Sequence, residues 1–520
     1  MQAPRGLARA QSAELDDQAQ PAWCPPLGSP RPAPALPFLS CQHVSRFFGD
    51  TVVLRRLNFA CERGYLLTLW GANGAGKSTL LRILAGALRP SSGTVILDGA
   101  AAGRAPARRQ TGFLSHQSLL HPNLTVAENL RFYATLFGLP DGAAATAQAL
   151  RQVRGGHLAP RRVSELSQGM RQKAALARCL LHQPALLLLD EPFASLDQPT
   201  VAEMRACLAE LRDSGMLLVL TSHNPEQVAG LADGELTLIR GQLSTPAAGR
   251  PERASAPAGT ADLRLPESLS TPQPPNATCA PRPPLPASAV RPPSGKWWPC
   301  QVAAAVAARD LRIELRTREA LLAMGFYALL VIVIFSFAFN ADAALTLRAG
   351  GGLLWIAFLF ASLVALDRAF LRETGEASLT GLQISPASRS AIMAGKFLSS
   401  LAVILVLEII LVPLFAILFN APAHAHWGGI ALTTVLGTWA LAANGTYFSA
   451  MSVHTRQRGL LLPLLLLPVS IPALLAMVEA TGVFLSGVGV ANYWLKLLVG
   501  YDVIFSCLGL LLADMVLDID

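Results

Sequence analysis

The chain has 520 residues, 52% hydrophobic and 15% charged, with a formal net charge of +8 and a mean hydropathy of +0.41. That balance excludes a chain that is soluble throughout and requires part of it to lie in a bilayer. The basic excess fits Arg and Lys crowding the cytoplasmic ends of membrane helices, so no nucleic-acid partner is expected.

Residues 1–37 are rich in Pro, Ala, Gln and Arg and include Glu14, Asp16 and Asp17. They read as a disordered extension without the apolar stretch of a cleavable signal peptide, or as a transit peptide, against which the acidic cluster argues. Strands and helices alternate over residues 38–243, which predicts an α/β domain with a largely parallel core sheet. Residues 244–298 turn to Pro, Ala, Ser and Thr and read as a linker, with a coil span on the order of 40 Å. From 299 to 520 the chain is expected to be an all-α membrane domain of six helices, with apolar spans near 320–339, 350–366, 395–419, 428–450, 459–478 and 495–516. Arg309, Arg312, Arg316 and Arg318 precede the first span. Arg368, Arg372, Arg389 and Lys396 separate the second from the third, and Arg456 and Arg458 the fourth from the fifth. The bias predicts that both termini and the α/β domain face the cytoplasm. The stretch Asp310 to Glu319 is expected either to lie along the membrane surface as a helix or to be a basic flank. The eight cysteines show no metal or redox spacing and read as reduced thiols.

The chemistry lies in the α/β part. Gly71-Ala72-Asn73-Gly74-Ala75-Gly76-Lys77-Ser78 matches the phosphate-binding loop, between a buried strand (Tyr65 to Trp70) and a helix opening at Thr79. Backbone N–H groups and the helix N-terminus attract a phosphate, Lys77 adds charge at the β/γ-phosphates, and Ser78 offers a hydroxyl to Mg²⁺. Leu186 to Leu189 is an all-apolar strand ending in Asp190 and Glu191. Its tip is suited to place Asp190 on the Mg²⁺ shell and Glu191 on the attacking water. Leu166-Ser167-Gln168-Gly169-Met170 opens a further helix, where Ser167 and Gly169 form a second anion site or a plain N-cap. One phosphate does not need two such sites in one domain, so the second is expected to serve another subunit's nucleotide. His223, following the strand Met216 to Thr221, is positioned to touch the γ-phosphate or is a polar loop residue.

These motifs, in this order, resemble the ATP-binding cassette family over residues 38–243. The resemblance implies ATP and Mg²⁺ as cofactors, with Gly71 to Thr79 as Walker A, Asp190 and Glu191 closing Walker B, and Leu166 to Met170 as the signature. It also implies Ala194 to Asp197 as the D-loop, His223 as the switch histidine, and Phe48 stacked on adenine. Two ATP molecules would be sandwiched in a homodimer. The family's Q-loop glutamine, a metal and γ-phosphate sensor, falls at His116 by spacing, with Gln117 one residue later, which leaves the sensor open between them. Residues 309–479 resemble the B-type permease of the cytochrome c maturation system, the haem exporter. The resemblance rests on Arg309 to Arg316, Gly352 to Phe360, Ser385 to Ile392 with Gly395 and Lys396, and Gly445 to Met451. In that family the ATPase and permease are normally separate chains, so this chain reads as their fusion; the resemblance implies the bacterial inner membrane, contact with lipid, and haem-handling membrane proteins and a periplasmic haem chaperone as partners. Either haem export or release of the haem-loaded chaperone would be driven by hydrolysis. The alternatives are a generic exporter of a lipid, glycan or drug-like substrate and a non-transporting membrane regulator that only binds ATP, which the intact Glu191 disfavours. A coupling helix is expected in the loop Asp367 to Lys396. Glu408, Asn444 and Pro413, Pro463, Pro468 and Pro472 read as structural, and His424 and His426 as loop residues rather than haem ligands.

Overall fold

The computed structural model describes residues 22–23, 37–244, 298–338, 343–375, 378–452, 458–487, 489 and 491–517. Nearly all of the expected extension, the linker and Arg456 lie outside the described residues. In chain order the first domain runs β1 (Leu39–Phe48), β2 (Thr51–Cys61), β3 (Leu66–Trp70), α1 (Lys77–Leu84), β4 (Ser92–Leu97), β5 (Thr111–Leu114), α2 (Val126–Phe137), α3 (Gly142–Gln152), α4 (Gln168–Leu180), β6 (Leu186–Asp190), α5 (Gln198–Asp213), β7 (Leu217–Thr221), β8 (Gly234–Ile239) and β9 (Gln242–Ser244).

Six strands form the core sheet in the order β9-β8-β3-β7-β6-β5. Every pairing is parallel except β8 with β9. The leucine run of β6 fits this arrangement, because a central parallel strand is covered on both faces and has no solvent side to make polar; all of β6 is buried. A smaller sheet lies beside it, with β1 antiparallel to both β2 and β4. The loops that carry the chemistry leave the carboxyl ends of β3, β6 and β7, which pair in register, the edge where parallel sheets place their ligands.

The second part is helical: α6 (Trp298–Thr317), α7 (Glu319–Ala338), α8 (Ala343–Gly375), α9 (Ser378–Ile384), α10 (Arg389–Leu418), α11 (Trp427–Ser452), α12 (Arg458–Leu485), α13 (Asn492–Leu511) and α14 (Ala513–Leu517). Among the described residues five helices are long and apolar enough to cross a membrane: α7, α8, α10, α12 and α13. The fourth expected span, α11, is helical but falls short in apolarity. The reason is its place in the bundle. It packs against α8, α10, α12 and α13, and its Thr433, Thr438, Asn444, Thr446 and Ser449 are all buried, so its polar groups meet protein instead of lipid. Thr438 Oγ1 donates to Glu408 Oε1 at 2.5 Å, and Asn444 Nδ2 donates to Tyr501 Oη at 2.5 Å. Pro413 lies inside α10, and Pro463, Pro468 and Pro472 inside α12.

Two elements join the parts. The short helix α9 falls within the predicted coupling loop and presses on the first domain. A Cβ at Gly381 would sit 2.2 Å from Tyr133 Oη, and Leu382 and Ile384 are buried in clusters shared with first-domain side chains. The second element, α6, was open in the sequence between surface helix and basic flank; it is a helix packed on α10 and α2. Its Arg309 guanidinium lies 4.6 Å from the Phe132 ring centroid. Arg316 grips Glu128 with two hydrogen bonds of 2.7 and 2.8 Å and donates to Asn123 O at 2.9 Å. Glu128 also accepts from Thr125 N–H in the capping box that starts α2, so one carboxylate secures both a helix start and a domain contact. Burial raises the Glu128 pKa, but the Arg316 and Thr125 hydrogen bonds and the charges of Arg316 and Arg312 outweigh it and hold it below its ordinary value. A depressed carboxylate contributes above its unfolded pKa and loses that contribution as pH falls through the lowered one. The contact is therefore complete at neutral pH. Arg316→Ala is expected to weaken docking by about 1 kcal/mol in a double-mutant cycle with Glu128→Gln, and to lower permease-stimulated ATP turnover more than basal turnover; equal losses in both would count against a role in coupling.

Candidate nucleotide site

β3 delivers the phosphate loop, and α1 begins at Lys77, two residues before the expected start. Gly76 has φ 104°, and a Cβ there would stand 2.7 Å from Leu54 Cδ2, so glycine is required for both conformation and space. Ala72, Asn73 and Gly74 form the exposed crown of the loop; Ala75 is buried, and Ser78 and Thr79 are half-buried in the first turn of α1. The Lys77 ammonium folds back onto its own loop, donating to Gly71 O at 2.7 Å and Ala72 O at 3.0 Å. Burial pushes its pKa down, opposed by the charges of Glu191 and Asp190. All three groups therefore share one electrostatic site, where a phosphate would meet the ammonium.

The strand tips complete it. Asp190 pairs with Thr221 across β6 and β7. Thr221 Oγ1 donates to Asp190 Oδ1 at 2.9 Å and accepts from Glu191 N–H at 2.9 Å. Sequence reasoning missed Thr221; its signal was its place as the last residue of the strand running beside the Asp190 strand. Glu191 takes φ 53°, a left-handed turn that ends the strand. Its Oε1 lies 2.6 Å from His223 Nε2, with both side chains partly exposed. The structure thus joins Glu191 and His223, which the sequence placed separately. A second missed residue is Gln172 of α4, which donates to Pro192 O at 3.2 Å and ties the signature helix to the loop after Glu191.

The remaining expected residues lie apart from this cluster. Phe48 ends β1 and is 46% exposed, with the Arg46 guanidinium 4.6 Å from its ring centroid; the ring is accessible for stacking. Ser167 caps α4, its Oγ accepting from Met170 N–H at 3.4 Å. Gly169 faces Thr200, where a Cβ would meet Cγ2 at 3.2 Å. Ser167 and Gln168 are exposed at the start of α4. After β5, His116 is exposed and Gln117 half-buried, with Gln117 N–H donating to Ser115 Oγ at 3.2 Å. From its spacing, His116→Ala should lower coupled ATP turnover more than Gln117→Ala. Equal or reversed losses in folded proteins would move the sensor to Gln117. Among the described residues no group of three or more His, Cys, Asp or Glu side chains is placed to hold a metal ion. Cys41, Cys61, Cys179, Cys207, Cys300 and Cys507 are free thiols, and Cys24 and Cys279 lie outside the described residues.

Residues 54–194 match the family model described as ABC transporter, and residues 301–514 match that of the CcmB protein. The chain is an ABC-type ATP-binding domain fused to a CcmB-type permease. Among curated proteins it is similar to the spermidine/putrescine import ATP-binding protein PotA of Methylococcus capsulatus, 38% identical over 208 residues, 39% of this chain and 54% of that protein. It is also similar to the Fe(3+) ions import ATP-binding protein FbpC 2 of Rhodococcus jostii, 36% identical over 40% of this chain and 61% of that protein. The fused chain therefore spans little more than half the length of these relatives. Among solved structures, a nucleotide-free ATP-binding cassette from an ABC transporter aligns at 20% identity, covering 40% of this chain and 90% of that one, with a TM-score of 0.38. A dimeric cassette bound to ADP and Pi aligns at 23% identity, covering 40% and 97%, with a TM-score of 0.37.

Proposed function

We propose that the fused chain is an ATP-driven transporter half of the haem exporter type. It works as a homodimer in cytochrome c biogenesis, where hydrolysis drives haem export or release of a haem-loaded periplasmic chaperone. The observation that carries the reading is the conjunction, in one polypeptide, of an ABC transporter match with a CcmB match. The import cargoes named for the curated relatives belong to proteins matched only through the ATP-binding part.

The residues fit the roles. Lys77 and the loop N–H groups bind the β- and γ-phosphates, and Phe48 stacks the base. Hard oxygen donors suit Mg²⁺: the Ser78 hydroxyl and the Asp190 carboxylate would hold it, with His116 or Gln117 beside them. The ion supplies charge neutralisation of the phosphates when bound. Glu191 orients water and takes its proton, and His223, in contact with Glu191, faces the γ-phosphate. The dimer reading is supported by the exposed Ser167 and Gln168 at the start of α4, a helix N-terminus suited to a partner's nucleotide although Ser167 also caps it. We place the chain in the bacterial inner membrane with six spans, α11 being the fourth, and with both termini and the ATPase in the cytoplasm.

A strain whose sole copy is Glu191→Gln tests the reading. It should still make the protein and still attach haem covalently to the periplasmic chaperone, yet lack mature c-type cytochromes on haem-stained gels. Normal c-type cytochromes, with ATPase activity verified lost, would refute the role and favour a generic exporter.

A further inference from the structure

Residues 115–118 hold the two candidate sensors, His116 and Gln117, and are tied at both ends by side chains from other elements. At the start, Arg178 of α4 donates through Nη2 to Phe113 O of β5 at 2.6 Å. At the end, Tyr133 of α2 donates to Leu119 O at 2.7 Å. The two ties also touch each other, with the Arg178 guanidinium 5.3 Å from the Tyr133 ring centroid. Arg178, Tyr133 and Leu119 are all buried, so close packing leaves these side chains few other rotamers.

Leu119 takes φ 56°, a left-handed conformation that a bulky side chain adopts only where its surroundings impose it. The Tyr133 hydroxyl supplies one such constraint. The same oxygen meets the membrane part. It is the nearest atom that a Cβ on Gly381 of α9 would encounter, at 2.2 Å, with Cζ of the same ring next at 3.2 Å. The helix α9 therefore seats directly on the phenol, with no room for a side chain at position 381.

We propose that Tyr133 and Arg178 are positioning residues for ATP hydrolysis: together they clamp the sensor segment, and Tyr133 passes the position of α9 to it. The proposal rests on the ATPase reading above and on a sensor at position 116 or 117. Each contact has its own part. Arg178 fixes the start of the segment to the signature helix, and Tyr133 links its strained end to the membrane domain through a single hydroxyl. A shift of α9 then moves the Leu119 carbonyl, while Arg178 keeps the strand end still, and the residues between them change direction.

The test uses the full chain in nanodiscs. Tyr133→Phe keeps the ring beside Arg178 and removes only the hydroxyl. Hydrogen exchange of amides 115–120 should rise roughly fivefold, the scale of one lost hydrogen bond. The kcat for ATP should fall roughly fivefold, with KM and melting temperature unchanged. Gly381→Ala drives a methyl group into the hydroxyl and should give the same pattern. The double variant should be no worse than Tyr133→Phe alone, because both changes act on one contact. Unchanged exchange in Tyr133→Phe would overturn the clamp. Unchanged kcat, or losses that multiply in the double variant, would overturn the relay. Glu191→Gln, measured alongside, separates this proposal from the ATPase reading. Turnover lost there but kept in Tyr133→Phe sinks the relay alone. Turnover kept in Glu191→Gln, with exchange still raised in Tyr133→Phe, sinks the ATPase reading and leaves the clamp standing.

Discussion

Replacing Glu191 with Gln is expected to lower ATP turnover by on the order of 10²–10⁴-fold, the range a positioned general base supplies. The substitution keeps side-chain length and hydrogen bonding and removes only the charge. Asp190, Thr221 and the phosphate loop hold their geometry without that charge, because Thr221 bonds the Glu191 backbone N–H and not its carboxylate. ATP binding should therefore persist, and purified protein should accumulate as an ATP-bound dimer on size exclusion. Turnover near that of the unaltered chain would remove Glu191 from the base role. His223→Ala separates the pair: with the 2.6 Å contact gone, turnover should fall while the dimer still forms.

Lys77→Ala should abolish nucleotide binding at ordinary concentrations. Charge-assisted hydrogen bonds contribute about 1.5–3 kcal/mol each, and contact with two phosphates makes the loss roughly 10²–10⁴-fold in Kd. No other ammonium is placed to compensate among the described residues of the loop. The variant should still fold, since Lys77 bonds only carbonyls of its own loop. Equilibrium binding of a fluorescent ATP analogue measures the effect, and affinity within tenfold of the original would remove the loop from nucleotide binding.

Much of this site was legible because its chemistry is local. Gly71 to Ser78 and Leu186 to Glu191 are contiguous, and their residue types are dictated by phosphate, metal and a buried strand. The contacts that organise the site are not contiguous. Thr221 bridges two strands whose order in the sheet no short window encodes, and Gln172 reaches Pro192 from another element. The sensor at His116 or Gln117 is ambiguous for a related reason: spacing fixes a backbone position, while side-chain direction depends on the fold. In the membrane part, apolar runs located the helices, but composition alone did not show that the polar side chains of α11 are buried among its neighbours. The Arg316–Glu128 contact was equally hidden, because each partner alone reads as a surface charge.

The setting of α11 bears on how the protein is made. A 26-residue helix carrying several threonines and Asn444 partitions weakly from the translocon by itself, since each polar group subtracts from the insertion free energy. Its partner α10 is strongly apolar but carries Glu408, which Thr438 of α11 satisfies. Insertion of the two as a hairpin lets the carboxylate and the hydroxyl enter hydrocarbon already bonded. Thr438→Val, although more apolar, should therefore reduce the amount of protein reaching the membrane.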